Sequence, residues 1–291
     1  MKAQRFGSAH TEKKLQLVAR YLNGFMTALK NQPFQKLYID AFAGTGAWVP
    51  TDVTAGQGVL ELPDWDVIAD GSARRALNVK PPFDHYVFIE KSRRKSLELQ
   101  RLRDEHRELA DRIEIITEDA NKALQSICRR TRWANTRAVV FLDPFGFQVE
   151  WATVEALGKT EAVDLWYLVP TGIGINRQVT TEGQVLEDSG KRIDAMLGTD
   201  GWRARMVTTE RTPVNLFGES ETRTIKAGGI DAIAEFVIER LATVFKGGVA
   251  KYGLPLGHQG RSFYTLVFAC ANPTKRASKL ALRLAGAVLR T

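Results

Sequence analysis

Residues 36–48, KLYIDAFAGTGAW, join a short apolar segment to a tight turn. The apolar run at 37–42 predicts a buried β-strand, and the small residues AGTG at 43–46 follow it at once. Only glycine and other small residues let a backbone turn so sharply and leave room for another molecule against it. The stretch therefore predicts a strand that ends in a ligand-binding turn, with the acid Asp40 just before that turn.

Strand patterns alternate with helical patterns along most of the chain. After the first strand, further strands are predicted at 85–90, 113–117, 138–143 and 164–169, with helices near 71–79, 91–110, 119–132 and 150–159. An amphipathic helix at 11–30 precedes them, and a long strand at 262–271 is expected at the closing edge of the sheet. This alternation indicates an α/β fold with a parallel sheet that helices cover on both faces.

Two segments interrupt the alternation. Residues 48–70 are too long for an ordinary connection, which favours a functional loop or lid. The polar turns between 171 and 229 favour a small inserted subdomain. We therefore expect a helical N-terminal extension at 1–35, a main domain at 36–170 and 230–291, and a subdomain at 171–229.

Composition narrows the class of protein. With 291 residues, 44% of them hydrophobic, the chain can bury a full core, and its two cysteines, Cys128 and Cys270, indicate neither a disulfide framework nor a metal site. No apolar run reaches the ~18 residues that span a bilayer, so we expect a cytoplasmic protein with no membrane partner. The net charge of +8 suits a polyanionic partner such as a nucleic acid, or equally a solvated basic surface.

Acid or glycine chemistry follows four successive predicted strands. In an open parallel sheet, ligands bind outside the carboxyl ends of the strands. The residues found there are Gly44, Thr45 and Gly46 after the first strand, Glu90 after the second, Asp119 after the third and Asp143 after the fourth. Their recurrence predicts one ligand site along this edge.

The glycine turn favours a cofactor without phosphates. A dinucleotide fingerprint needs a third glycine where Val49 stands, and no Gly-Lys-Ser or Gly-Lys-Thr sequence follows as a phosphate loop requires. S-adenosylmethionine fits better, with Asp40 facing its ammonium group, Glu90 its ribose hydroxyls and Asp119 its adenine amino group. The predicted cofactor site is completed by the neighbouring residues Phe42, Ala43, Lys91 and Ala120. The alternative is that Glu90 and Asp119 only cap helices.

LDPFGF at 142–147 predicts the methyl-acceptor site. An amino group on an aromatic ring is a poor nucleophile, and Asp143 and the Pro144 carbonyl can accept its two N–H groups. Phe145 or Phe147 can stack on the ring. The alternative is an ordinary turn, in which Asp, Pro and Gly are common. After the fifth strand, Asn176 and Arg177 either line the acceptor pocket or belong to a plain glycine turn.

The order YIDAFAGTG, VFIE, TEDA, FLDPFGF resembles the class I S-adenosylmethionine-dependent methyltransferases, and within them the chain is similar to the three-Cys-motif partner proteins. HTEKKLQLVARYL, GSARRAL, YGLPL and FYTLVFA extend that resemblance over nearly the whole chain, although GSARRAL stands where the family has a Gly-Ser-Pro run. The resemblance implies a Rossmann-like fold with a mostly parallel seven-stranded sheet, S-adenosylmethionine as cofactor, and a partner carrying a radical-S-adenosylmethionine-like three-cysteine motif.

The form of the acceptor motif indicates the chemistry. Asp-Pro-Phe-Gly is similar to the tRNA guanine-N2 dimethyltransferases and departs from the Asp-Pro-Pro-Tyr of many DNA and rRNA amino-methyltransferases, because Phe145 replaces the second proline. The leading hypothesis is methyl transfer to an exocyclic amino nitrogen of a nucleic-acid base. The alternatives are an S-adenosylmethionine-binding accessory protein for the three-Cys-motif partner and a small-molecule methyltransferase.

Overall fold

The computed structural model describes residues 8–44, 71–211, 222–258 and 261–290. The helices are α1 (Ser8–Ala28), α2 (Ser72–Leu77), α3 (Arg93–Glu105), α4 (Ala120–Arg130), α5 (Trp151–Lys159), α6 (Glu187–Leu197), α7 (Arg203–Met206), α8 (Ile230–Ala242) and α9 (Lys275–Leu289), with a 3₁₀ helix at Arg107–Arg112 and a π-helix at Thr171–Asn176. The strands are β1 (Gln35–Asp40), β2 (His85–Ile89), β3 (Ile113–Ile116), β4 (Thr136–Leu142), β5 (Val163–Val169), β6 (Val207–Arg211), β7 (Thr222–Lys226), β8 (Gly248–Val249), β9 (Leu254–His258) and β10 (Arg261–Cys270).

Among the described residues, the main sheet has eight strands, one more than the seven that were predicted. Seven lie in the order β3-β2-β1-β4-β5-β10-β8, and the eighth, β9, pairs with β10. The pairs β1–β2, β1–β4 and β2–β3 are parallel, whereas β10 is antiparallel to β8 and β9. β6 and β7 form a separate antiparallel ribbon. The predicted α/β, Rossmann-like architecture with a mostly parallel sheet is confirmed.

Contacts divide the chain into two compact units. The first holds the chain up to Leu142, Ala162–Asp164 and the chain from Arg283 onward, and the second holds Asp143–Glu161 and Leu165–Leu282. The boundaries of these two units differ from those of the extension, main domain and subdomain predicted from the sequence, and that three-part organisation stays a prediction.

Aromatic packing holds α1 in the first unit. Phe25 of α1 stacks on Phe83 with ring centroids 5.9 Å apart, and Phe83 contacts Tyr38 of β1 at 5.8 Å and Tyr86 of β2 at 5.7 Å. The Tyr86 hydroxyl accepts the backbone N–H of Phe83 at 3.0 Å, so this phenol is buried with a hydrogen bond. α1 is therefore an integral layer of the first unit.

A buried acid also connects α1 to the sheet. The Tyr21 hydroxyl donates to Asp164 Oδ2 at 2.6 Å, and only 8% of Asp164 is exposed. Burial lowers the pKa of Arg137 in β4, and the negative charge of Asp164 opposes this lowering. The Arg137 guanidinium lies 3.8 Å from the Phe34 ring centroid and donates to two backbone carbonyl oxygens. The carboxylate is thus compensated by a hydroxyl and a nearby cation.

In the second unit, Trp166 of β5 packs against Phe268 of β10 with centroids 5.0 Å apart. Asp194 of α6 accepts hydrogen bonds from the Trp202 indole at 2.8 Å and from both terminal nitrogens of Arg203 at 2.6 and 3.0 Å. Burial by itself raises the pKa of Asp194, but the hydrogen bonds from Arg203 and Trp202, together with the Arg203 charge, outweigh it and lower the pKa. The bonds join α6 to the segment that leads into β6.

We expect Tyr21→Phe to lower the free energy of unfolding by about 1–3 kcal/mol, because the buried Asp164 carboxylate loses its hydroxyl donor. Urea unfolding followed by circular dichroism measures the change. Tyr252→Phe is the matched control, since Tyr252 is 68% exposed and should change stability by less than about 0.5 kcal/mol. Equal stability of Tyr21→Phe and the wild type would contradict the assigned role.

Candidate functional site

The strand order places a topological switch point between β1 and β4. From β1 the order runs through β2 to β3 on one side and through β4 to β5 on the other. In such sheets, ligands bind outside the carboxyl ends of the strands at this point. β1 ends there in Asp40 and β4 ends in Leu142, both in the first unit.

The turn after β1 is held by hydrogen bonds from its own backbone. Asp40 is 0% exposed, and its Oδ1 accepts the Phe42 N–H at 3.3 Å. The Ala43 N–H donates to the carbonyl of Ile89, the last residue of β2, at 3.0 Å. Gly44 has φ +63°, a conformation that residues with a side chain rarely adopt. A Cβ built on it would meet no atom of the described residues within 4 Å, so the backbone conformation, rather than a steric contact with those residues, explains the glycine.

Glu90 binds this turn to the end of β2. Its Oε2 accepts the Gly44 N–H at 3.2 Å, and its Oε1 accepts the Ser92 N–H at 2.8 Å. Ser92, rather than Glu90, is the N-cap of α3. A carboxylate has about four lone-pair positions, so after these two bonds Glu90 can still accept from a ligand. The structure thus brings together two predicted cofactor residues, Gly44 and Glu90.

Asp119 is the N-cap of α4, which was the alternative interpretation of this acid. Its Oδ1 accepts the N–H groups of Asn121 at 3.0 Å and Lys122 at 3.4 Å. Its Oδ2 lies 3.8 Å from the Lys91 ammonium, an exposed pair of low energetic value. Ala120 is the buried first residue of α4. Capping is observed, and the adenine contact stays a prediction for Oδ2.

The second unit begins with the predicted acceptor motif. Pro144 is buried, whereas Phe145 is 48% exposed and donates its backbone N–H to Gln148 Oε1 at 2.9 Å. Gly146 has φ +70°. The motif is therefore a fixed turn that presents an aromatic ring to solvent, and Gln148 is a supporting residue that the sequence analysis did not identify.

The π-helix after β5 packs too closely for side chains at its two glycines. A Cβ on Gly172 would lie 2.0 Å from the carbonyl oxygen of Ser262 in β10, and one on Gly174 would lie 2.9 Å from the Phe147 ring. Phe147 therefore packs against the π-helix. Single-turn π-helices are frequent at functional sites.

Asn176 and Arg177 end this π-helix differently. Asn176 Oδ1 is buried and has no hydrogen-bond partner within the described ranges. The Asn176 backbone carbonyl accepts a hydrogen bond from the Lys226 ammonium at 2.5 Å. Burial lowers the pKa of that lysine. Arg177 is exposed, and its side chain makes no polar contact with the described residues. Of the two predicted substrate residues, only Asn176 has a buried polar atom available to a ligand.

Tyr264 of β10 is a neighbour of Asp143 that sequence reasoning missed. Burial raises the pKa of the Tyr264 phenol to about 12, and the Asp143 carboxylate contributes to this rise. The pairing register of β10 with β9 shifts between Ser262 and Tyr264, and such irregularities redirect side chains beside active sites. A neutral phenol therefore lies near Asp143 at physiological pH.

Several predictions from the sequence lie outside the described residues, namely Thr45, Gly46 and the segment 48–70. Within the described ranges, no group of three or more His, Cys, Asp or Glu side chains is arranged to hold a metal ion, and Cys128 and Cys270 are not joined in a disulfide. No helix in those ranges is long and apolar enough to cross a membrane.

No protein-family model and no curated protein matches the sequence. Solved structures that are similar include protein LPL1258 of the DUF519 family from Legionella pneumophila, at 14% identity over 90% of this chain and 97% of that one, with a TM-score of 0.44. A putative rRNA methylase from Clostridium thermocellum is 12% identical over 71% and 97%, with a TM-score of 0.30. Magnesium protoporphyrin IX methyltransferase from Synechocystis, solved with bound SAH, is 12% identical over 74% and 82%, with a TM-score of 0.31. At these identities and TM-scores, the likenesses decide neither reaction nor substrate.

We expect Gly172→Ala to lower the free energy of unfolding by about 1–3 kcal/mol, because the new methyl group would collide with the Ser262 carbonyl. Thermal unfolding measures the loss. Gly229→Ala is the matched control, since a Cβ there meets no atom of the described residues within 4 Å, and it should lower the free energy of unfolding by less than about 1 kcal/mol. Equal effects of the two substitutions would contradict the close approach.

We expect Asp143→Asn to lower the pKa of Tyr264 from about 12, although not to its usual 10.0, because burial remains. The neutral Tyr264 phenol contributes its full stability below pH 10.0, and this contribution is lost as the pH rises through about 12. In Asp143→Asn the loss should therefore be complete at a lower pH than in the wild type. Carbon NMR of the labelled tyrosine ring measures the titration. An unchanged titration would show that Asp143 does not act on Tyr264.

Proposed function

We propose that this chain is an S-adenosylmethionine-dependent methyltransferase that acts on an exocyclic amino nitrogen of a nucleic-acid base. The observation that carries the proposal is the ordered set of groups after successive parallel strands. Asp40 ends β1 and Gly44 lies in the turn after it, Glu90 follows β2, Asp119 follows β3 and Asp143 follows β4. S-adenosylmethionine is a nucleoside with an amino-acid tail, and it offers a polar group to each of the first four of these residues, Asp40, Gly44, Glu90 and Asp119.

The first-unit residues fit this cofactor. Glu90 keeps acceptor positions for two ribose hydroxyls after binding the Gly44 and Ser92 N–H groups. Among the described residues, no atom lies within 4 Å of a Cβ built on Gly44, so these residues leave room for a ligand close to its backbone. Asp119 Oδ2 is available to an adenine amino group through exchange with the exposed Lys91 ammonium. When bound, S-adenosylmethionine supplies a methyl group that is already activated by its sulfonium.

Asp143 and Pro144 act on the acceptor. The carboxylate and the proline carbonyl each accept one N–H of the amino group, which holds the nitrogen lone pair out of conjugation with its ring. S-adenosylmethionine held at Gly44, Glu90 and Asp119 would supply the methyl group to this nitrogen, and the electron pair of its carbon–sulfur bond would remain on sulfur. The surplus proton then leaves the nitrogen for Asp143 or water. Positioning supplies most of the rate enhancement, because the donor needs no further activation.

Two other residues suit a planar, amino-bearing acceptor. Phe145 is half exposed and offers its ring for stacking. The buried Asn176 Oδ1 requires an N–H or O–H donor that no described residue provides, and a base can supply one.

A nucleic-acid substrate is favoured by exposed positive charge beside the cofactor residues. Lys91, Arg93 and Arg94 are exposed at the start of α3, directly after Glu90. Within the described chain, Arg93 and Arg94 make no ion pair. Unpaired cations at this position suit a phosphate backbone, and binding should weaken steeply as salt concentration rises.

The test is transfer of labelled methyl groups to tRNA, rRNA, DNA, protein and small metabolites, each with and without a three-Cys-motif partner. Asp143→Ala should lower transfer by at least about a hundredfold while S-adenosylhomocysteine affinity changes by less than about twofold, because the carboxylate touches the acceptor and not the cofactor. Asp188→Ala, at an exposed acid of α6, is the matched control.

Each result separates the candidate functions. Label in a small metabolite would favour the small-molecule enzyme, and cofactor binding without transfer to any acceptor would favour the accessory protein. Full turnover by Asp143→Ala would remove Asp143 from the reaction. Failure of the wild type to bind S-adenosylhomocysteine would overturn the proposal as a whole.

A further inference from the structure

A cleft with a volume of about 380 Å³ opens at the amino ends of the strands in the first unit. The first residue of each of β1 to β4 lines it, namely Gln35, His85, Ile113 and Thr136. The end of α4 lines another side with Ile127, Arg130 and the C-cap Thr131. Pockets of roughly 300–1,000 Å³ hold small ligands in proteins. The cleft is therefore large enough for a small ligand, and it lies at the edge of the sheet opposite to the candidate functional site.

Polar side chains from three neighbouring strands share the sheet face that lines the cleft. Gln35 of β1 lies two residues before Leu37, and Leu37 is in register with His85 of β2. Val87, two residues after His85, is in register with Glu114 of β3. Residues in register in a parallel pair, and residues two apart on one strand, point to the same face. Helix-covered faces of parallel sheets are normally apolar, so hydrophobic packing does not explain this row of Gln35, His85 and Glu114.

The side chains of this row have hydrogen-bonding groups to offer a ligand. Within the described residues, the Gln35 amide and the His85 ring make no polar contact. Glu114 Oε1 accepts a hydrogen bond from the Arg130 guanidinium at 2.9 Å, and about half of each side chain is exposed. Exposed ion pairs of this kind contribute little to stability, so a ligand can take the place of either partner. The row and Arg130 therefore present both donors and acceptors to the cleft.

Exposed arginines lie in and beside the cleft. They are Arg112 and Arg130, which line it, and Arg129 and Arg132, which flank Arg130 and Thr131 in the chain. Within the described residues, Arg129 and Arg132 make no ion pair. The acids that line the cleft are Asp111 and Glu114. Arginine binds phosphate through two parallel hydrogen bonds, so this surplus of cations suits a ligand with a phosphate group.

We propose that the cleft is a nucleotide-binding site that takes a guanine base against the sheet and its phosphate at the arginines of α4. Leu37 and Val87 offer an apolar surface to the base, and the His85 ring can stack on it. The two carboxylate oxygens of Glu114 match the adjacent N1–H and N2–H groups of guanine, whereas adenine has a single amino group on that edge. The site shares no residue with the cofactor and acceptor sites, so the inference goes beyond the proposed function and does not rest on it.

Titration calorimetry with GMP, AMP and guanosine tests the site, with and without saturating S-adenosylhomocysteine to fill the proposed cofactor site. We expect GMP to bind at least about tenfold more tightly than AMP, because Glu114 pairs with guanine, and than guanosine, which lacks the phosphate. A single-stranded oligonucleotide with one guanine distinguishes the two sources of the nucleotide. Tighter binding of the oligonucleotide would assign the site to nucleic acid, and tighter binding of GMP would assign it to a free nucleotide.

Two variants separate the base from the phosphate. Glu114→Gln should weaken GMP by about tenfold and remove most of its preference over AMP, whereas Arg130→Ala should weaken GMP by about tenfold without weakening guanosine. Glu108→Gln and Arg107→Ala are the matched controls, since both side chains are exposed on the 3₁₀ helix and neither lines the cleft, and both should leave the affinities unchanged.

Thermal unfolding shows whether each variant is folded, and amide NMR of the labelled wild type locates the site without any substitution. GMP should shift the signals of residues that line the cleft, among them His85, Glu114 and Thr131. Shifts confined to residues elsewhere would overturn the inference.

Equal affinities of the wild type for GMP, AMP and guanosine, or no binding of GMP, would also overturn it. GMP binding that disappears when S-adenosylhomocysteine is added would do the same, because the nucleotide would then occupy the cofactor site. If the wild type binds GMP but not S-adenosylhomocysteine, the proposed function fails while this inference stands, so the two failures are distinguishable.

Discussion

A buried acid at the end of the central strand is the constraint on which this arrangement depends. Asp40 has no exposed surface, and β2 and β4 place phenylalanine rings beside it. A carboxylate in such surroundings requires hydrogen bonds and positive charge, because its loss of hydration costs several kcal/mol. The Phe42 N–H provides one hydrogen bond from the turn itself. The conformation of the turn is thereby linked to one side chain.

The architecture was predictable because local patterns repeat along the chain. Apolar segments near 85–90, 113–117, 138–143 and 164–169 became β2 to β5, and the long segment at 262–271 became β10. β8 has only two residues and β9 contains a proline, so neither carries a strand pattern of its own. Their pairing with β10 is a tertiary effect, which local sequence does not encode.

Site residues that come directly after a strand could be predicted from the sequence. Residues that reach the site only through tertiary packing could not. Glu90 and Gly44 are in contact, as expected of residues at one sheet edge. Asp119 illustrates the limit, since a helix cap and a ligand contact require the same residue at the same position. Tyr264 lies far from Asp143 in sequence, so only the fold brings them together.

The two hydrogen bonds of Glu90 have a consequence for the thermodynamics of ligand binding. Because the Gly44 and Ser92 N–H groups are already bound to the carboxylate, the turn and the start of α3 lose their conformational freedom when the chain folds. A ligand that reaches Glu90 meets acceptor positions whose geometry is set in advance. More of its interaction energy therefore remains as affinity, since little is lost to ordering the backbone around it.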